Sequence, residues 1–293
     1  MPKIKTLLQK YNQDCAFLPE LIALTIKHNK EFIYSHPRHN LNLIQYLRLV
    51  YYLHLAKKNY SLARLAKHKE FFGWDFSVNK HTLIPRPETE LIVEELLKLI
   101  DRAQSSQTKN LLIDIGTGSG CIPIAFLKQI KNHQNKIEVL ATDISSPALK
   151  IAQRNSQKHK TQIKFIQANL FAPLEKIITQ KLSNQFDNLI ITANLPYLTP
   201  EQFLKEPSVR REPKTALLGG TDGLELYTKL LKQISAWRAK NNTKNKLHIF
   251  LEIDPAQAKI LPKIKQKYLP DMFLSIKKDL AGQKRLAHLT NQA

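Results

Sequence analysis

Cysteine is nearly missing. The only two, Cys15 and Cys121, cannot build a disulfide framework or a zinc site by themselves. The ten histidines fall in no H-E-x-x-H or C-x-x-C context, so the sequence makes no case for a metal. No apolar run approaches the roughly 18–20 residues that span a bilayer. The opening "MPKIKTLLQKYNQD" has too short an apolar core for a signal peptide, so a cytoplasmic protein with no membrane partner is expected. Glycine is absent before Gly73. A G-x-x-x-x-G-K-[ST] phosphate cradle is also absent. No internal repeat is visible.

Acidic residues are outnumbered, with 24 Asp+Glu against 45 Lys+Arg and a net charge of +21. Such charge suits a polyanionic partner, such as nucleic acid, a ribosome or an acidic protein. It equally suits a codon bias toward Lys, Asn and Ile, because the cations form no single block. Charge alone therefore does not choose the substrate. The chain of 293 residues, 43% hydrophobic, has apolar material for one large domain or two smaller ones.

Residues 1–69 read as a helical domain, serving either as a packing extension or as a substrate-docking module. In "LNLIQYLRLVYYLHLAKK", Leu43, Ile44, Leu47, Val50, Tyr51 and His54 recur near a 3.6-residue period. Residues 70–90 hold a β-hairpin, "EFFGWDFSV" around Gly73, and a connection that Pro85 and Pro87 keep extended. Residues 91–293 form the main domain, reached through the helix "ETELIVEELLKLIDRA". Strands "LLIDIG", "KIEVLATD", "QIKFIQAN", "FDNLIITAN" and "KLHIFLEI" alternate with helices, including one across "AQAKILPKIKQKY" despite its Pro262. "MFLSIKKD" and "KRLAHLT" pair as the last strands. The pattern predicts an α/β, doubly wound, mostly parallel sheet.

The first of these strands runs into "DIGTGSG". Gly116, Gly118 and Gly120, with Thr117 and Ser119 between them, let backbone approach a ligand at a strand-to-helix turn. The next strand ends in Asp143, placed to accept both ribose hydroxyls of an adenosine. A dinucleotide site prefers G-x-G-x-x-G, whereas the last spacing here is two, which favours S-adenosylmethionine over NAD. At the third strand end Asn169 can bond the adenine rim. Leu170 and Phe171 can pack on its face or simply belong to the core.

The fourth strand ends in Asn194-Leu195-Pro196-Tyr197. The Asn194 oxygen and the Leu195 carbonyl can accept the two hydrogens of a planar –NH2 group. Holding that nitrogen in line with a sulfonium methyl is proximity catalysis, and the two acceptors stabilise positive charge as it develops. Tyr197 can cover the planar group. The tetrad does not say whether the –NH2 belongs to a nucleobase or to a glutamine side chain.

Three further stretches narrow this. "LIPRPETELIVE" (Leu83 to Glu94), "REPKTALLGGTDGLELY" (Arg211 to Tyr227) and "DLAGQKR" (Asp279 to Arg285) resemble the HemK/PrmC type of class I S-adenosylmethionine-dependent methyltransferases over about residues 70–290. These enzymes methylate the Gln of the Gly-Gly-Gln loop in peptide chain release factors. The resemblance implies a Rossmann-like seven-stranded sheet with a reversed last strand. It also implies an N-terminal helical domain that helps dock the release factor. Cofactor would lie on Gly116–Gly120, Asp143, Asn169, Leu170 and Asn194, under a lid shaped by Arg86, Pro87, Glu88 and Thr89. Asn194 to Tyr197 would hold the glutamine. A monomer is expected, and a nucleic-acid partner is admitted but not required.

The sequence departs from that family in places. Leu195 stands where the family usually has Pro, which frees φ and adds an N–H. Asn169 stands for a common Asp. "YSLARLAKHKEFFG" lacks the usual Gly-containing turn, and the first 65 residues match little. Asn-Leu-Pro-Tyr is also the tetrad of ribosomal RNA adenine dimethyltransferases, but those carry their helical domain after the sheet. An enzyme of the same chemistry acting on rRNA adenine or a ribosomal-protein glutamine is the alternative. A non-catalytic module that kept the fold is the third reading.

Overall fold

A computed structural model describes residues 1–102, 108–130, 136–184, 186–241 and 245–292. The chain divides into two compact units. One comprises Met1–His68 with Glu206–Arg211, the other Lys69–Lys205 with Glu212–Ala293.

The first unit is helical: α1 (Ile4–Tyr11), α2 (Leu18–Ile26), α3 (Lys30–Ser35), α4 (Leu43–Lys57) and α5 (Leu62–Ala66). Side-chain caps start three of them. Asn29 accepts from the Phe32 N–H, Ser61 from that of Arg64, and Asn42 forms a reciprocal capping box with Gln45. Ile4, Leu7, Leu21, Ile22, Ile33 and Leu49 are fully buried in its core. The stripe that predicts α4 lies on one face, as its spacing requires, but that face is open to solvent. Leu43, Leu47 and Tyr51 are each 58% exposed and Ile44 69%, while Leu49 and Leu53 point inward. The helix is apolar on two faces, and periodicity cannot tell which one its neighbours cover. Arg211 joins this unit by donating from Nε to the Lys58 carbonyl and lying 5.2 Å over the Tyr60 ring.

The second unit opens at Lys69, inside the first strand of the hairpin β1 (His68–Phe71) and β2 (Trp74–Ser77), turned at Gly73 with φ +76°. Then come α6 (Glu90–Arg102), β3 (Asn110–Ile115), α7 (Cys121–Gln129), β4 (Ile137–Asp143), α8 (Ser146–Lys158) and β5 (Lys164–Gln167). They are followed by α9 (Glu175–Asn184), β6 (Asn188–Ala193), α10 (Pro200–Lys205), α11 (Glu225–Asn241) and β7 (Lys246–Glu252). The last elements are α12 (Leu261–Tyr268), β8 (Phe273–Lys278) and β9 (Lys284–Thr290).

Seven strands form one sheet in the order β5-β4-β3-β6-β7-β9-β8, parallel except for β9. The continuous apolar runs of β3 and β6 follow from burial on both faces. Leu111, Ile113 and Ile115 enter the core that holds Tyr227 and Trp237 of α11, whereas Leu112 enters the core built with α6 and α7. Connections leave β3 toward both sheet edges. The crevice at the carboxyl ends of β3 and β6 is therefore the topological switch point, where ligands of such sheets bind.

The expected helix across residues 256–268 is broken. A 3-10 turn, Pro255–Lys259, is capped by Asp254, and α12 begins anew with Pro262 in its first turn. Proline lacks the N–H and clashes inside a helix, but it is at home in the first turn. The short helices α9 and α10 go unmarked in the sequence because no clear apolar period distinguishes them. Of the polar connection that the sequence reads at residues 104–110, residues 104–107 lie outside the described residues.

Candidate functional site

β3 ends where the chain must turn sharply into α7, and glycines make that turn. Gly116, Gly118 and Gly120 have φ of +73°, +56° and +80°, a region costly for residues with a Cβ. The Thr117 N–H donates to the Thr142 carbonyl at 2.8 Å, pinning the loop to β4. Gly116, Thr117, Gly118 and Ser119 line a 350 Å³ cavity, a size within the usual range for small-molecule sites. A Cβ on Gly118 would meet nothing closer than 4.0 Å, so that backbone is bare toward the cavity. Gly120 does not line the cavity. Its Cβ would stand 3.0 Å from Ile124 and 3.3 Å from Ala152, so this glycine lets α7 and α8 close up.

Asp143 sits across from the loop. Its carboxylate accepts from the Gly118 N–H at 2.9 Å and the Ser145 N–H at 2.8 Å, and burial raises its pKa. Each oxygen keeps a lone pair for a further donor. Asn169 is exposed at the cavity mouth and Leu170 lines the wall. Leu170 has φ +62°, a left-handed conformation that costs a branched side chain on the order of 1–2 kcal/mol. Phe171 belongs to the core, packed edge-on against Trp237 at 5.4 Å.

Asn194, Leu195 and Pro196 line the same cavity from the end of β6. The Asn194 amide donates from Nδ2 to Thr89 Oγ1 at 2.9 Å, which orients the group. Its Oδ1 is buried without a partner, a costly state for an acceptor. Leu195 is buried, with Cδ2 2.9 Å from where a Gly116 Cβ would lie. Its added N–H donates to Tyr227 Oη at 3.2 Å. Tyr197 is not part of the cavity wall. Its hydroxyl points to Glu252 Oε1 at 3.2 Å, at the end of β7.

Arg86 and Thr89 line the cavity from the Pro-rich connection, and the Glu212 carboxylate fastens that connection. It accepts from the Ile84 N–H at 2.9 Å and pairs with the Arg86 guanidinium. Asn155 of α8 ties hairpin to glycine loop, because its side chain bonds Ser77 at N–H and carbonyl and the Ser119 carbonyl.

Sequence reasoning missed the clamp around the tetrad. The Gly219 N–H donates to the Leu198 carbonyl, and Gln257 Nε2 donates to the Tyr197 carbonyl at 3.1 Å and the Gly223 carbonyl at 3.0 Å. A Cβ on Gly219 would stand 2.4 Å from the Pro196 carbonyl oxygen, and one on Gly223 2.2 Å from that of Tyr197. The only sequence signal was the cluster of glycines in "LLGGTDGLELY".

Two buried carboxyls lie beside these elements. Burial pushes Asp114 up to about 6, although the Thr192 hydroxyl bonds it at 2.7 Å. Burial likewise pushes Glu252 up from 4.5 to about 7, against the pull of the Thr89 and Tyr197 hydroxyls. A raised acid pKa means that the folded state binds more protons between those values. Ionising Glu252 as pH rises from about 4.5 to about 7 therefore removes stability, on the order of 3 kcal/mol in all. Glu252→Gln is expected to gain stability relative to the unmodified chain across that window. Melting temperatures of both proteins at pH 5 and pH 8 check this, and parallel profiles would contradict it.

A glycine-cradled cavity, a carboxylate opposite it and an amide with a free acceptor are what a nucleoside-bearing methyl donor and a planar –NH2 acceptor require. Known proteins agree. The methyltransferase small domain family matches residues 89–190. The release factor glutamine methyltransferase of Enterococcus faecalis is 36% identical over 231 residues, covering 78% of this chain and 75% of that protein. Its namesake in Flavobacterium psychrophilum is 33% identical over 251 residues, 84% of this chain and 80% of that one. Among solved structures, the catalytic domain of human METTL16 in complex with a MAT2A 3'UTR hairpin superposes with a TM-score of 0.53 at 17% identity. It covers 75% of each chain and shows a shared fold. The chain belongs to the release factor glutamine methyltransferases, S-adenosylmethionine-dependent enzymes built on this sheet.

Proposed function

We propose that this protein transfers a methyl group from S-adenosylmethionine to the side-chain amide nitrogen of the Gln in the Gly-Gly-Gln motif of a peptide chain release factor. The observation that carries the reading is the Asn194 amide. Thr89 anchors its nitrogen, and its oxygen is buried at the cavity with no partner. A substrate –NH2 supplies the missing donor.

The residues present fit the cofactor. The bare backbone at Gly118 admits close approach, Asp143 has lone pairs for ribose hydroxyls, and Asn169 and Leu170 line the cavity where an adenine would pack. When bound, the cofactor supplies an electrophilic methyl group on a sulfonium. The chain does the rest. Asn194 Oδ1 and the Leu195 carbonyl each accept one amide hydrogen and so fix the plane of the group. An amide nitrogen is a weak nucleophile, and positive charge grows on it as the new C–N bond forms. Two preorganised acceptors stabilise that charge. The methylated nitrogen then loses a proton to water, with no strong base required.

Asp143→Ala should weaken cofactor binding by about 10–100-fold, the scale of one or two charge-assisted hydrogen bonds. Calorimetric titration with S-adenosylmethionine reads it directly, and an unchanged Kd would remove Asp143 from the site.

The direct test of the function is mass spectrometry of a release factor after incubation with the protein and cofactor. One added methyl on the Gly-Gly-Gln glutamine is expected. A methyl group that appears on RNA added to the same mixture, and not on that peptide, would overturn the reading in favour of an adenine acceptor.

A further inference from the structure

Leu195 brings a backbone N–H to a buried place, and the structure shows where it goes. It donates to Tyr227 Oη at 3.2 Å, and that hydroxyl in turn donates to the backbone carbonyl of Glu252. Tyr227 lies in the first turn of α11, is fully buried, and packs in the core beneath the sheet. Its own seat is set locally. The Asp222 carboxylate accepts from the Leu224 N–H at 2.8 Å, and the Glu225 N–H donates to the Gly219 carbonyl at 3.1 Å. One phenol therefore bridges the tetrad to the end of β7.

The bridge has a direction. A phenol carries one proton, and two carbonyls are within reach of it. That of Glu252 is in close contact, while that of Leu195 stands 3.4 Å away. The proton goes to Glu252, and Tyr227 then presents its lone pair to the Leu195 N–H. The Leu195 carbonyl is left free for another donor.

We propose that Tyr227 is a positioning residue for methyl transfer. Its hydroxyl relay from Leu195 N–H to Glu252 carbonyl holds the Leu195 peptide so that its own carbonyl is open to the substrate –NH2. The proposal rests on the function proposed above, in which that carbonyl is the second acceptor. Tyr227 does not line the cavity. It does by hydrogen bonding what a ring-locked φ does when proline follows the asparagine.

Tyr227→Phe keeps the ring and removes the relay. Steady-state methylation of a release factor should show kcat lowered about 10–100-fold with KM and cofactor Kd little changed, the mark of lost alignment. The same substitution made on Leu195→Pro, which has no N–H to lose, should lower kcat less than about threefold, because the coupled partner is already gone. Equal losses in both backgrounds, or an unchanged kcat in Tyr227→Phe, would overturn the proposal. If Leu195→Pro does not fold, the split between kcat and KM in Tyr227→Phe decides alone, and a rise in KM at constant kcat counts against it. Asn194→Ala is the control for the underlying function. Full activity there would defeat that reading whatever Tyr227 does.

Discussion

Asn194→Ala is expected to abolish methyl transfer while S-adenosylmethionine still binds. The substitution removes a buried oxygen at the cavity that has no partner, and with it the anchor on Thr89. A substrate amide would then lose an acceptor that strengthens as charge moves onto nitrogen, a loss worth about 10²–10³ in kcat for comparable groups. Cofactor affinity should survive, since the glycine loop and Asp143 keep their mutual bond at 2.9 Å. Single-turnover methylation of a release factor, read beside calorimetric cofactor binding, separates the two effects. Retention of more than about a third of the rate would argue that the tetrad is not the acceptor site. A chain that binds cofactor but has no activity even unmodified would be the non-catalytic module.

Gly219→Ala should cost nearly as much, by a different route. A Cβ there would lie 2.4 Å from the Pro196 oxygen, 2.7 Å from the Gly223 oxygen and 2.7 Å from the Tyr197 Cα. All three are backbone atoms and none can rotate away. One methyl must therefore displace the tetrad or the 219–223 turn. A displacement approaching 1 Å at a reacting centre costs about 10²-fold in rate, and overpacking adds about 1–3 kcal/mol of destabilisation. Gly282→Ala is the control. That glycine has φ +77° and nothing within 4 Å, so alanine there carries only the backbone cost. Methylation rates and melting temperatures of both variants test the argument. Equal activities would mean that Gly219 merely fills a turn.

Much of this site is legible before folding is considered. A strand that ends in alternating glycines, a next strand that ends in Asp143 and a strand that ends in Asn194 each mark a carboxyl end facing one crevice. Sheet topology obliges those ends to converge. Leu83–Glu94 and Asp279–Arg285 resemble one family closely enough to separate glutamine from adenine, which the tetrad by itself does not do. The expected roles divide once the chain is folded. Gly116, Gly118, Asp143, Leu170 and Asn194 share the cavity wall, whereas Gly120 serves helix packing and Tyr197 turns its hydroxyl toward Glu252.

The sequence by itself determined the α/β class and the strand ends that meet, and it supplied the –NH2 chemistry proposed for the tetrad. These rest on local periods and on residue types whose side chains have few alternatives. Only the tertiary structure decided which face of α4 is covered, where Pro262 breaks a helix, and why glycine stands at 219. It alone showed that the N–H introduced by Leu195 is satisfied by Tyr227, 32 residues away along the chain. Those outcomes depend on which backbone comes within a few ångströms of which other. Contacts between distant residues set that distance, and no local pattern records it.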